Sequence, residues 1–346
     1  MSYSPQGLVH YLLSRALLAP REILSGDVTV ITTGGANSAF RVLRRGNAGW
    51  FVKQFDELPA RKRAFQAECA FLRAAARLED LSRHVPVLAL VDENRQLFVV
   101  ELLAGTGPNY PALPIDEMAL LGRALSVLHE NSSNVAAGLA IDLPRRTHFT
   151  FRLEGGATAD DQIDETFFAT ARRNRQLVRQ LTALNSEWSF DGIIHGDLKW
   201  DNCILVRNAG DAEVIIVDWE QIRFGDFAWD IAGALQDAWV RWIVSMPLDA
   251  EKSPSAERAL LPFEDLSAAI RSFWAGYCDH RKLDAAERSI LWTKAVRYSA
   301  ARLVQTALER ARVFGIGFET VSFLQIAENI LNEPGEAGML LHGEAK

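Results

Sequence analysis

His195-Gly196-Asp197-Leu198-Lys199-Trp200-Asp201-Asn202, with Asp218 sixteen positions beyond Asn202, is the stretch from which the rest of the chain can be read. Asp197 is a carboxylate suited to taking the proton of a hydroxyl. Asn202, five residues on, stands far enough along a loop for its amide oxygen to reach a cation that Asp197 does not occupy. Asp218 follows the apolar run Val214-Ile215-Ile216-Val217, which predicts a buried strand and places the carboxylate at a strand end, where a hard cation is readily held. Lys199 adds a point positive charge two residues after Asp197. Cys203 to Val206 is a second short apolar run and Arg207 to Asp211 a turn, so the two candidate metal ligands are joined by a hairpin. An acceptor carboxylate, cation ligands and a fixed positive charge are the parts that transfer of a phosphoryl group to a hydroxyl requires.

This stretch resembles the catalytic loop of the kinase-like phosphotransferases, the superfamily that includes protein kinases, aminoglycoside phosphotransferases and choline kinases. His-Gly-Asp is similar to the aminoglycoside branch, where protein kinases usually carry His-Arg-Asp. Asp218-Trp219-Glu220 resembles the Asp-Trp-Glu or Asp-Phe-Glu of the same branch. Gly225-Asp226-Phe227-Ala228-Trp229-Asp230-Ile231-Ala232 is similar to the family's downstream element, in which the equivalent of Asp230 braces the catalytic-loop backbone. Lys199 departs from the branch, because Ser/Thr protein kinases usually have a lysine there and small-molecule members more often do without it. The resemblance implies an α+β, two-lobed protein-kinase-like fold. Residues 1–103 would form a nucleotide-binding lobe of five antiparallel strands and a helix, and residues 104–346 a larger, mainly helical lobe for catalysis and acceptor binding. It further implies ATP as donor and Mg²⁺ as cofactor, with Asp197 and Lys199 catalytic and Asn202 and Asp218 on the metal.

Residues 1–103 read accordingly. Pro5 to Leu18 is a leading helix ended by Pro20; Val28–Ile31 and Phe40–Leu43 are strands joined by a loop holding Gly34, Gly35, Asn37 and Ser38. Paired glycines let backbone amides approach a phosphate, although a Gly-Gly hairpin is equally a plain turn; the loop is similar to the nucleotide loop of the aminoglycoside branch. Lys53 lies mid-strand in Gly49–Phe55 and Glu68 follows on an amphipathic helix, Pro59 to Arg77, as its partner for aiming the ammonium at nucleotide phosphates. Glu57 is the alternative partner, and a snorkelling lysine the alternative reading. Val85–Val91 and Gln96–Glu101 complete the sheet. The Gly/Pro-rich stretch 102–108 marks a boundary, where the family places a hinge whose backbone at the equivalents of Glu101 and Leu103 binds adenine.

At 346 residues the chain exceeds a single core of roughly 250–300, which agrees with two lobes. Residues 1–103 carry 13 Lys and Arg against 10 Asp and Glu, whereas 104–346 carry 24 against 34. An acidic larger half argues against nucleic acid as a partner and admits a cationic acceptor, or serves solubility alone. The three cysteines have no paired spacing, which fits reduced thiols in a cytoplasm. The apolar run Leu8–Leu18 is interrupted by His10, Ser14 and Arg15, poor for a signal peptide or a membrane span.

Beyond the boundary the pattern is helical: Ile115–Glu130 with His129 complementing the helix dipole, Thr166–Leu184 with Arg172, Arg173, Arg175 and Arg179 on a solvated face or one receptive to an acidic peptide, Ala228–Ser245, and closing helices over Leu266–His280, Asp284–Ala311 and Val321–Leu331. Met246–Pro262 reads as a loop, mobile near the acceptor, and Asn332–Lys346 as a frayed tail. Two acceptor classes stand. One is a small-molecule alcohol, aminoglycoside-like and cationic, favoured by His-Gly-Asp, Asp-Trp-Glu and the acidic half. The other is a Ser/Thr hydroxyl of a ribosomally made precursor peptide, favoured by Lys199, with a partner enzyme in a peptide-modifying pathway. A catalytically inactive binding module of the same fold is a third alternative, opposed by the intact Lys53, Asp197, Asn202 and Asp218.

Overall fold

Alternating apolar residues between Val28 and Glu101 form five strands, and helical periodicity governs most of the chain after them. The computed structural model describes residues 3–33, 37–107, 113–153, 162–208, 211–247 and 256–343. Along the chain run α1 (Pro5–Ser14), α2 (Pro20–Leu24), β1 (Val28–Thr33), β2 (Ser38–Arg44), β3 (Trp50–Gln54), α3 (Pro59–Ala75), α4 (Glu79–Ser82), β4 (Leu88–Asp92) and β5 (Leu97–Glu101). Then come α5 (Met118–Glu130), α6 (Ser132–Gly138), α7 (Gln162–Arg173), α8 (Arg175–Asn185), β6 (Gly192–Ile194), β7 (Cys203–Asn208), β8 (Asp211–Ile216), β9 (Arg223–Gly225), α9 (Phe227–Ser245), α10 (Phe263–Arg281), α11 (Ala285–Phe314), α12 (Phe318–Asn332) and α13 (Pro334–His342). The chain divides into two compact units, one of residues Met1–Thr106, Asn134–Asp142 and Ile204–Ile222, the other of Gly107–Ser133, Leu143–Cys203 and Arg223–Lys346.

The first unit is built on an antiparallel sheet of order β1-β2-β3-β5-β4. Strand alternation sorts its side chains. Phe40, Val42, Val52, Leu97 and Val99 face one way and pack with Leu8, Tyr11 and Leu12 of α1. Lys53 and Phe98 form a cross-strand pair on the other face, and α3 buries Phe65, Phe71 and Leu72. The β7–β8 hairpin belongs to this unit: Leu205 pairs with Thr106, and the Ile216 N–H donates to the His84 carbonyl over 2.9 Å. The leading helix is shorter than its apolar pattern predicts. It ends at Ser14, Ala16 turns into the left-handed region at φ 56°, and Pro20 opens α2 instead of closing α1. Proline suits the first turn of a helix, where no N–H is needed.

In the second unit α5 and α10 lie backbone against backbone. A Cβ on Gly122 would come within 2.1 Å of the Phe273 carbonyl oxygen, and one on Gly276 within 2.2 Å of that of Ala119. The 30-residue α11 packs on α9 and α12. Two expectations fail here. The helix predicted over Thr166–Leu184 is broken, because the Asn174 side chain accepts the Leu177 N–H and caps α8 as a new start. The predicted frayed tail is α13, held on α10 and α11 by Leu341, which is fully buried. Of the predicted loop Met246–Pro262, residues 248–255 lie outside the described residues, and Ala256–Arg258 form a 3₁₀ turn. The three cysteines are buried and unpaired. Among the described residues no helix is long and apolar enough to cross a membrane.

The α5–α10 contact generates a test. Gly122→Ala should destabilise by about 1–3 kcal/mol through overpacking, despite the better helix propensity of alanine. Gly335→Ala, where an added Cβ meets nothing within 4 Å, should be neutral or slightly stabilising. Thermal unfolding followed by circular dichroism compares them, and equal melting temperatures for the two variants would refute the close backbone contact.

Candidate functional site

Within the first unit, β3 carries Lys53 onto the α3 face, and α3 presents Glu68 from inside its buried stripe. Lys53 Nζ lies 3.0 Å from Glu68 Oε2, 2.5 Å from Asp218 Oδ1 and 3.3 Å from Glu220 Oε2. Arg61 reaches Glu220 at 3.5 Å. The partner of Lys53 on the α3 side is therefore Glu68, and Lys53 is buried in a carboxylate cluster, not snorkelling. Glu68 also accepts the Trp219 N–H at 3.0 Å, and the Trp219 ring packs on Phe71 with centroids 4.1 Å apart. Asp218 itself adopts φ 65°, a left-handed conformation that Asp tolerates better than most residues.

Burial alone would favour neutral Lys53, but Glu68, Asp218 and Glu220 outweigh it and hold the ammonium above its usual range. One ammonium serves three carboxylates, so the charges do not balance. Burial, reinforced by the Asp218 charge, pushes Glu68 up to about 7 despite Lys53. Of the loop residues predicted to meet nucleotide, Gly34 and Gly35 lie outside the described residues. Asn37 donates from Nδ2 to Glu220 Oε2 over 2.6 Å. Ser38 pairs with Gln54 across β2 and β3, so its side chain is on the face opposite Lys53. Glu101 ends β5 opposite Trp50, and Leu103 follows it half-buried.

Within the second unit the loop after β6 carries Asp197. Its backbone is held by Asp230 at the start of α9, which accepts the N–H groups of His195 at 2.6 Å and Gly196 at 2.9 Å. Gly196 has φ 85°, open to glycine without penalty. His129 lies 3.4 Å from Asp230 Oδ2 and 2.9 Å from the Tyr277 hydroxyl, and stacks on Phe227. Burial depresses its pKa. His129 is therefore a buried, neutral brace of Asp230 and not the dipole-complementing cation expected from its place at the end of α5.

The Asp197 carboxylate lies 2.9 Å from Lys199 Nζ and 3.2 Å from an Arg302 guanidinium nitrogen. Arg302, on α11, also donates to the Gly196 and Leu198 carbonyls, both at 3.2 Å. Burial opposes ionisation of Asp197, but Lys199 and Arg302 overcome it and keep the carboxylate below its ordinary pKa. Asn202 is buried and donates from Nδ2 to the Asp197 carbonyl at 2.8 Å, leaving its amide oxygen as a hard donor. Asp237 of α9 accepts the Trp200 N–H at 3.0 Å and, with Asp201, neutralises the buried Arg241.

A divalent cation is implied by the resemblance. Among the described residues no group of three or more His, Cys, Asp or Glu is arranged to hold a metal. Within the first unit, the half-exposed Asp218 carboxylate, in a cluster with excess negative charge, is an oxygen donor of the kind that suits Mg²⁺, which takes one or two protein oxygens and completes its shell with water and phosphate; within the second, the Asn202 amide oxygen is of the same kind.

Residues 27–254 match the family model described as the phosphotransferase enzyme family. The chain belongs to that family. Solved structures similar in fold to this phosphotransferase include an ethanolamine kinase of Plasmodium vivax, 14% identical over 96% of this chain and 89% of that one, with a TM-score of 0.57. Choline kinase LicA from Streptococcus pneumoniae is 16% identical over 95% and 99%, with a TM-score of 0.53. A microcompartment-associated aminopropanol kinase is 17% identical over 91% and 95%, with a TM-score of 0.54. No curated protein matches the sequence. The five-stranded sheet, the helical second unit and these neighbours make the phosphotransferase a two-lobed, kinase-like α+β protein.

Motif reading missed Arg302 and the bracing part of His129. The signal for Arg302 was present as a charged residue in line with the apolar stripe of α11, at Tyr298, Arg302 and Leu303, all buried.

The shifted Glu68 makes stability pH-dependent. In the unfolded phosphotransferase Glu68 ionises near 4.5, in the folded one near 7, so between these values the folded state binds the extra proton and loses stability as pH rises. Lys53 stays charged in both states across this window. The stability of wild type relative to Glu68→Gln should therefore fall by on the order of 3 kcal/mol from pH 4.5 to 7, measured by urea unfolding at a series of pH values. A difference independent of pH would show that Glu68 is ionised throughout.

Proposed function

We propose that this phosphotransferase moves the γ-phosphoryl group of ATP, with Mg²⁺, to the hydroxyl of a small amino alcohol. The observation that carries this reading is the Asp197 carboxylate, held by a fixed loop and kept ionised by Lys199 and Arg302. An acceptor hydroxyl hydrogen-bonded to Asp197 passes its proton there as its oxygen bonds to the γ-phosphorus, while the bond from that phosphorus to the β-bridging oxygen breaks and ADP leaves. Lys199 offsets charge on the transferring group and returns to Asp197 afterwards. Lys53, oriented by Glu68, serves the donor phosphates, and the backbone about Gly34, Gly35, Asn37 and Ser38, with that of Glu101 and Leu103, holds the nucleotide. Asp218 and Asn202 are the oxygen donors assigned to Mg²⁺, which when bound neutralises phosphate charge. Residues 1–103 then serve the nucleotide, and 104–346 catalysis and the acceptor.

The likeness in fold to ethanolamine, choline and aminopropanol kinases supports the amino-alcohol class, as does the acidic composition after residue 104. The contact between Lys199 and Asp197 favours a second reading, a Ser/Thr hydroxyl on a peptide, in which a neutral acceptor is not repelled by the lysine and a partner enzyme would process the phosphorylated product.

Steady-state phosphorylation of ethanolamine, choline, 1-amino-2-propanol, a panel of aminoglycosides and Ser/Thr-rich peptides separates the two. Transfer to an amino alcohol is expected, with kcat falling by about 10²–10⁴ in Asp197→Asn at an unchanged melting temperature. For a cationic acceptor, Lys199→Ala should leave KM equal or lower. Transfer to peptides alone would replace the amino-alcohol reading, and transfer to no acceptor under conditions where ATP binds would refute both.

A further inference from the structure

The helix α11 delivers Arg302 to Asp197, and the same face of the helix continues past it. Thr306, Glu309 and Val313 lie four, seven and eleven positions beyond Arg302, steps that return a helix to nearly the same side. The first of these turns is pinned to α9, because Thr306 Oγ1 accepts a hydrogen bond from Gln236 Nε2 at 2.9 Å. Glu309 and Val313 are exposed. The face that holds Asp197 at one point therefore opens to solvent about 10 Å further along the axis, and it opens on a carboxylate.

Glu309 is oriented but not neutralised. Gln305 Nε2 donates to its Oε1 over 2.9 Å. The cations next to it on α11 are engaged elsewhere, Arg310 with Glu319 and Arg312 with Asp164. Loss of water on its inner side, and after that the Asp197 charge, raises its pKa against the pull of Lys199 and Arg302. The influence is mutual: burial lowers Lys199, but Asp197 and, more weakly, Glu309 hold its ammonium above the usual range. Glu309 is thus close enough to the loop of Asp197 to act on its charges without touching them, and a cation placed beside it would favour its ionised form.

The charge count gives this carboxylate a use. Asp197 alone faces two cations, Lys199 at 2.9 Å and Arg302 at 3.2 Å, an excess of one positive charge that repels a cationic acceptor. With Glu309 the four groups sum to zero, and its Oε2 remains for a donor. On the amino-alcohol reading given above, we propose that Glu309 is the specificity-determining residue of this site: it receives the acceptor's ammonium and offsets Lys199, while the acceptor hydroxyl lies on Asp197. Lys199 and a cationic acceptor are then compatible in one site.

The test compares ethanolamine with ethylene glycol, in which a neutral hydroxyl replaces the ammonium, by the ratio of their kcat/KM values. In the wild type the ratio should favour ethanolamine. Glu309→Gln keeps the shape and the contact with Gln305 and removes the charge; it should lower the ratio about tenfold or more, mainly through KM for ethanolamine, at an unchanged melting temperature. Glu309→Lys should lower it further, and Glu309→Asp should retain part of it. Adding Lys199→Ala to Glu309→Gln should raise the ratio again, because the repelling charge is then removed as well. Transfer by the wild type to no amino alcohol would refute the amino-alcohol reading and this assignment with it. Transfer to ethanolamine with the ratio unchanged in Glu309→Gln, or with both acceptors impaired equally, would overturn the assignment of Glu309 and leave the amino-alcohol reading standing.

Discussion

A carboxylate kept ionised while largely withdrawn from water is the constraint on which this structure turns. Asp197 is useful as a proton acceptor only as an anion, and its burial works against that state. Lys199 supplies a charge from the same loop and Arg302 a second from α11, 105 residues further along the chain. Arg302 also ties down the Gly196 and Leu198 carbonyls, so one side chain fixes both the charge state and the loop that carries it. The 30-residue α11, packed along α9 and α12, is the rigid support from which that guanidinium is delivered.

The same logic recurs one layer deeper. Asp230 is completely buried and stays below its ordinary pKa against the cost of burial because His129 and the loop N–H groups bind its oxygens. Asp226 caps α9, accepts the Tyr298 hydroxyl at 3.0 Å and meets Lys294 at 2.5 Å. Asp237 and Arg241 anchor Trp200. The helix α9 thereby holds the loop of Asp197 and Lys199 through polar contacts.

The cluster around Lys53 is arranged differently. There one ammonium is shared by Glu68, Asp218 and Glu220, with Arg61 also on Glu220, and burial, reinforced by the Asp218 charge, raises the pKa of Glu68. Three carboxylates on one ammonium leave oxygens open to an added cation while the lysine stays charged.

The sheet and the hairpin between Asn202 and Asp218 were legible in the sequence, because strand alternation and a turn between two apolar runs are local patterns; Glu68 was the favoured partner of Lys53 from its place beside a helical apolar stripe, and the fold selects it over Glu57. Boundaries were less so. Asn174 splits a helix through a single cap, Pro20 starts a helix instead of ending one, and α13 orders only because Leu341 finds a place against α10 and α11. Residue order and spacing pointed to an acidic loop with its lysine, to candidate metal oxygens and to a two-lobed fold. It took the folded chain to choose which distant residues set the state of that loop, Arg302 and His129 foremost, and to bring Glu309 within the field of Asp197 and Lys199. Contacts between residues so far apart in sequence depend on packing geometry, which no local period encodes.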